Sequence, residues 1–153
     1  MFEKILICLD GSKAAEQVLP YATEQALRFD SEVMLVRVID LPGTYIPLNF
    51  PGEPGFPIQI PPSISHTRSE ETEATAYLSE ILSSLREKGL RADFAVIPGR
   101  PGEAIVQYAQ DNDFKLIAIG THGHGGLRQA VLGSTADYVL RYSVIPVLMV
   151  RPT

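Results

Sequence analysis

Three glycines and a serine carry the strongest chemical signal in this chain. Gly120-Thr121-His122-Gly123 is followed by nine residues and then by Gly133-Ser134, between the apolar run Leu116–Ile119 and a helix-like segment from Thr135 to Arg141. Glycine leaves no Cβ in the way, so backbone there can approach a ligand closely. The first N–H groups of a following helix have no partner within it and favour an anion. The chemistry this spacing suits is the holding of a phosphate. Ser134 has a second reading, because Ser134-x-x-Asp137 also spells a capping box in which the hydroxyl serves its own helix.

Other polar groups gather around this loop. His122 and His124 have the H-x-H spacing of metal ligands, yet glycines flank them and no Cys or carboxylate cluster lies nearby in sequence. A stable metal site needs three or four preoriented ligands, so both histidines read better as neighbours of a phosphate. Any Mg²⁺ or Mn²⁺ is then expected to accompany the phosphate ligand rather than to sit in a protein-only site. Arg128 is placed to reach outer phosphates or to remain a solvated loop arginine. Asp10, in Asp10-Gly11-Ser12, ends an apolar run as a ligand-facing carboxylate or as a turn residue opening a helix. It is the one carboxylate carried by a motif, and no arrangement supplies a convincing base for phosphoryl transfer. The site reads as one that binds; catalytic residues are not assigned.

The elements that must position these groups are legible as alternating patterns. Five apolar runs, Ile5–Leu9, Val33–Ile39, Ala92–Ile97, Leu116–Ile119 and Val147–Val150, suit strands covered on both faces of a parallel sheet. Between them lie helical stretches. Ser12–Phe29 carries a stripe at Ala15, Val18, Leu19, Ala22 and Ala26 and should kink at Pro20. Ala74, Leu78, Ile81, Leu82 and Leu85 form a second stripe, Glu103–Gln110 a third helix behind Pro101, and Ser134–Arg141 a fourth. This alternation predicts right-handed crossovers and a doubly wound α/β fold. Ligands of such folds bind beyond the carboxyl ends of the strands, where strand order reverses. The glycine loop follows the fourth run and falls on that edge. A P-loop and a dinucleotide fingerprint are both excluded, since no G-K-[ST] occurs and no G-x-G-x-x-G follows the first run.

Composition narrows the remaining classes. At 153 residues with 45% apolar and 20% charged residues, the chain reads as a single globular domain spanning 1–153. A net charge of −5 argues against a nucleic-acid or anionic-membrane binder. The lone Cys8 lies in an apolar run and reads as a buried thiol, and the absence of a span or leader pattern predicts a cytoplasmic protein. Residues 41–65 break the alternation, holding seven of the twelve prolines together with Tyr45, Phe50 and Phe56. They read as an extended or irregular insertion that leaves the ligand side of the sheet and is either a mobile loop or a lid or partner surface.

Gly120-x2-Gly123-x9-Gly133-Ser134 resembles the ATP-binding motif of the universal stress protein family. Lys4–Ser12, Val36–Asp40, Gly99–Ile105 and Ile145–Val150 resemble that family's first strand and turn, second strand end, third helix entry and last strand. The resemblance implies a five-stranded parallel sheet in order 3-2-1-4-5, Rossmann-like, with helices on both faces. It implies ATP at the carboxyl ends of strands 1 and 4. Asp10 would meet ribose or adenine, the backbone around Val38 the adenine edge, and Gly120, Gly123, Gly133, Ser134 and Thr135 the phosphates. An ATP-binding regulatory role in stress response is the implied function. A nucleotide-independent dimeric interaction module and a slow ATP hydrolase are the alternatives. The uncharged last strand, around Pro146–Val150, would form a homodimer edge.

Overall fold

The computed structural model describes residues 1–39, 44–48, 56–60, 64–122 and 132–153. In chain order its elements are β1 (Lys4–Cys8), α1 (Lys13–Glu16), α2 (Leu19–Phe29), β2 (Glu32–Ile39), β3 (Thr44–Leu48) and β4 (Phe56–Ile60). There follow α3 (Ile64–Glu87), β5 (Arg91–Pro98), α4 (Pro101–Asp111), β6 (Leu116–Gly120), α5 (Ser134–Tyr142) and β7 (Val147–Val150). Five strands pair in parallel in the order β5-β2-β1-β6-β7. Counting those five alone, this is the expected 3-2-1-4-5. The chain winds outward from β1 through β2 to β5, then returns to the other side of β1 with β6. The switch point therefore lies between β1 and β6.

Burial on both faces explains the unbroken apolar runs. Ile5, Ile7, Leu9, Val33 and Leu35 pack with Val18, Ala22 and Ala26 of the first helical stretch and with Leu78, Leu82 and Leu85 of α3. The alternate residues Leu6, Cys8, Val36, Ile117 and Ile119 pack with Ile105, Val106 and Ala109 of α4 and with Ala136 and Val139 of α5. A strand whose two faces are both roofed cannot afford a polar alternate position. Burial pushes the Cys8 thiol well above the ordinary cysteine range, which leaves it protonated and inert.

Two local expectations are corrected. The stretch 12–29 is two helices rather than one kinked helix, with the break at Gln17–Val18 and Pro20 in the first turn of α2. Pro20 has no N–H to give and its ring clashes with the carbonyl four residues earlier, so the chain restarts its helix just ahead of it. Within the Pro-rich stretch, β3 and β4 form an antiparallel ribbon in which Pro47 stands opposite Pro57. A two-stranded ribbon points half of its N–H groups outward, and proline at such a position removes no ladder bond. The rest of the 41–65 insertion, up to the start of α3, lies outside the described residues, and so does Asp40.

Candidate functional site

The strand register brings the expected residues to one edge. Cys8 stands beside Val36 on one side and Ile119 on the other, and the Leu9 amide donates to the Val36 carbonyl at 2.9 Å. Continued by two residues, the same register sets Asp10 level with Val38 and with Thr121. Gly120 closes β6 beside Val150 of β7, and the Thr121 amide donates to the Val150 carbonyl at 2.9 Å. Asp10, Val38 and the start of the glycine loop thus share the carboxyl edge at the switch point.

Asp10 is both a turn residue and an edge residue. Its Oδ1 accepts from the Ser12 amide at 2.8 Å and from the Ser12 hydroxyl at 2.6 Å. Ser12 in turn is the N-cap of α1, its Oγ accepting from the Ala15 amide at 3.1 Å. The turn reading of Asp10 therefore holds, and the turn fixes where the carboxylate sits at the edge. Gly11 between them has φ +87°, a backbone conformation that strains any L side chain. Val38 is half-buried and leans on the core shared with α4 and α5.

At Gly120 and Gly133 backbone packs on backbone, with room for an ordinary Cβ contact at Gly120 and too little at Gly133. A Cβ at Gly120 would stand 3.4 Å from the Ala15 Cα and 3.6 Å from the Ala14 carbonyl, because α1 lies directly over the end of β6. At Gly133 it would stand 3.1 Å from the Thr121 carbonyl, which also accepts the Gly133 amide at 2.6 Å. That bond ties the far end of the loop back to its beginning. Thr121 itself is buried, and its hydroxyl lies 2.9 Å from Nδ1 of His122.

The capping-box reading of Ser134 is overturned. Gly133 is the N-cap of α5, in extended backbone, and Ser134 is the first helical residue. Among the described residues no side chain caps the helix, and Asp137 is paired instead with Arg141 at 2.9 Å. The tether to Thr121 draws Gly133 rather than Ser134 into the cap position. The amides of Ser134, Thr135 and Ala136 therefore begin a nine-residue helix whose N-cap, Gly133, has no side chain to offer them. If these amides are the anion donors, Ser134→Ala costs one hydroxyl contact while leaving them in place. Titration calorimetry should then read a loss of about threefold to tenfold in nucleotide affinity, the worth of one hydrogen bond.

Gly123, His124 and Arg128 lie outside the described residues. Two residues at this edge were missed by sequence reasoning. Thr121 has no signal beyond its place in the motif. Arg37 has one, being the only charge inside the apolar stretch of β2 from Val33 to Ile39. Among the described residues, no three His, Cys, Asp or Glu side chains are grouped to hold a metal ion.

The profile of the universal stress protein family matches residues 1–151. The chain belongs to the universal stress protein family. A universal stress protein of Synechocystis is 30% identical over 154 residues, covering 98% of each chain. Among solved structures, protein MJ0577 superposes with a TM-score of 0.76 at 26% identity, over 100% of this chain and 98% of that one. A universal stress protein from Archaeoglobus fulgidus in complex with dAMP superposes with a TM-score of 0.67 at 23% identity, over 97% and 98% of the two chains. This last likeness is one of fold. No helix among the described residues of this family member is long and apolar enough to cross a membrane.

Proposed function

We propose that this universal stress protein is an ATP-binding regulatory protein that holds its nucleotide at the carboxyl ends of β1 and β6. The observation that carries the reading is the start of α5, which has no side-chain cap among the described residues and is tied at Gly133 to Thr121 at the carboxyl edge. A phosphate would give those amides a partner, and the absence of a Cβ at Gly133 lets the start of α5 close against the Thr121 carbonyl. Gly120, Gly123, Gly133, Ser134 and Thr135 are assigned to the phosphates, with His122, His124 and Arg128 beside them. Asp10 and the backbone at Val38 are assigned to the nucleoside. That a fold neighbour is solved with dAMP supports an adenine nucleotide as the ligand class. Any Mg²⁺ or Mn²⁺ arrives on the nucleotide.

The test is a thermal shift with ATP, AMP and GTP, joined to mass spectrometry of whatever the purified protein releases on denaturation. ATP at a hundredfold over its Kd should stabilise by about 2.7 kcal/mol, a rise of about 5–10 °C in Tm for a chain of this size. No shift with any of the three at millimolar concentration, together with no released nucleotide, would sink the proposal.

A homodimer through β7 is part of the same proposal. Among the described residues β7 pairs with β6 alone, so its outer edge presents unpaired backbone in an uncharged strand. Val144, just ahead of it, is 84% exposed. These two features favour dimerisation whether or not nucleotide is bound, which is the interaction-module reading. Sedimentation with and without ATP separates the two, since a regulatory role requires that the nucleotide alter shape or assembly.

A further inference from the structure

Arg37 stands at the carboxyl end of β2 on the face opposite to Val38, with its side chain only 18% exposed. A Cβ added at Gly11 would meet Cζ and Nη1 of Arg37 at 3.2 Å and Nη2 at 3.3 Å. Three such nearly equal distances mean that the guanidinium turns its face to the place a side chain at Gly11 would take. The same group stands 5.5 Å from the ring centre of Tyr77, and it is paired with Glu73 at 3.6 Å, both residues of α3. The Tyr77 hydroxyl donates to Oε1 of Glu16 at 3.2 Å, and Glu16 belongs to α1. Ser12, which caps α1, is held by Asp10.

These contacts form a closed circuit, from Gly11 through Arg37, Tyr77, Glu16 and Ser12 to Asp10 and back to Gly11. Its members come from β2, α3, α1 and the turn after β1. The one-turn helix inside the circuit is also the element whose backbone lies on Gly120. Four residues of helix are too few to hold a shape alone. The circuit supplies the tertiary contacts that keep the turn and α1 in place. Burial, with the Glu16 carboxylate next, pushes the Tyr77 hydroxyl well above the ordinary tyrosine range, so it remains a donor throughout the physiological pH range.

We propose that Arg37 is a positioning residue for the nucleotide: its guanidinium, filling the space beside Gly11 that a side chain would take and braced by Tyr77 and Glu73, sets the Asp10 turn in the geometry that meets the nucleoside. Arg37 acts through Asp10 and makes no ligand contact of its own. The inference rests on the ATP-binding reading above, and its test is built so that the two fail differently.

The test is a double-mutant cycle on ATP affinity, read by calorimetry on full-length protein, with Asp10→Asn and Arg37→Met. Asn keeps an Oδ1 that accepts from Ser12, so Asp10→Asn removes the charge at the ligand and leaves the turn. Each single change is expected to weaken ATP binding about fivefold to tenfold. The double variant is expected to be no weaker than the worse single one, because a mispositioned Asp10 has little left to lose. Arg37→Lys, which keeps a cation but not the flat face, should recover only part of the loss. Tyr77→Phe, which removes only the donor to Glu16, should show the same coupling at smaller size and serves where Arg37→Met fails to fold.

Losses that multiply to about twenty-fivefold or more in the double variant would overturn the role of Arg37, and so would an Arg37→Met protein of unchanged affinity. If the wild-type chain binds no ATP, the nucleotide reading falls, and the positioning role falls with it.

Discussion

Gly133→Val is expected to abolish ATP binding, with a loss of at least about a hundredfold, while leaving a folded chain. A first Cβ at this position stands 3.1 Å from the Thr121 carbonyl, and valine adds two methyl groups to it. The carbonyl is backbone, and the Thr121 amide fixes it to β7 at 2.9 Å, so it has no easy way to yield. The chain would have to release the 2.6 Å bond from the Gly133 amide and lift the start of α5 away from the edge. Hydrogen bonds to a charged group are worth about 1.5–3 kcal/mol each, and losing two of them amounts to a hundredfold or more. The buried faces of α5, Ala136 and Val139, lie further along the helix and keep it docked. The decisive comparison is with Ser134→Ala in the same calorimeter. Equal losses from the two variants would contradict the assignment of the phosphates to backbone amides.

Gly102→Val is expected to lower stability by about 3 kcal/mol, at the upper end of the range for overpacking. Gly102 is buried in the first turn of α4, where that helix crosses α5. A Cβ there would lie 2.6 Å from Cβ and 2.7 Å from Cγ of Tyr138. Those atoms sit at the root of the tyrosine side chain and cannot swing aside, so the two helices must part. A loss of this size lowers Tm by about 6–12 °C in a chain of this length, which differential scanning fluorimetry reads directly. An unchanged Tm would mean that α4 and α5 do not cross as closely as described. Because α5 also carries the candidate phosphate donors, the variant should bind ATP more weakly than its folded fraction alone explains.

Much of this architecture is legible in the residues. The runs at Ile5–Leu9 and Leu116–Ile119 declare strands buried on both faces, and every residue of β6 is buried. The glycine spacing after the fourth run places a loop and a helix start at the carboxyl edge. The ends of elements are less legible. Ser134 looked like a cap by sequence, yet the cap is Gly133, because a carbonyl twelve residues back captures its amide. The break before Pro20 and the Pro47–Pro57 ribbon were hidden for a related reason, since proline dilutes the periodic signal without forbidding the element.

By itself the sequence determined the strands of the sheet, the order of elements along the chain and the edge at which the glycine motif lies. These follow from local hydrophobic pattern and glycine placement, and neighbouring residues express both. The brace around Asp10 was decided by tertiary structure alone. Tyr77 and Glu16 are 61 residues apart, and Arg37 meets Gly11 across two strands. Arg37 is marked locally by its charge in an apolar run, but nothing local names its partners; they meet because β1 and β2 pair in register while α1 and α3 cover the same face of the sheet.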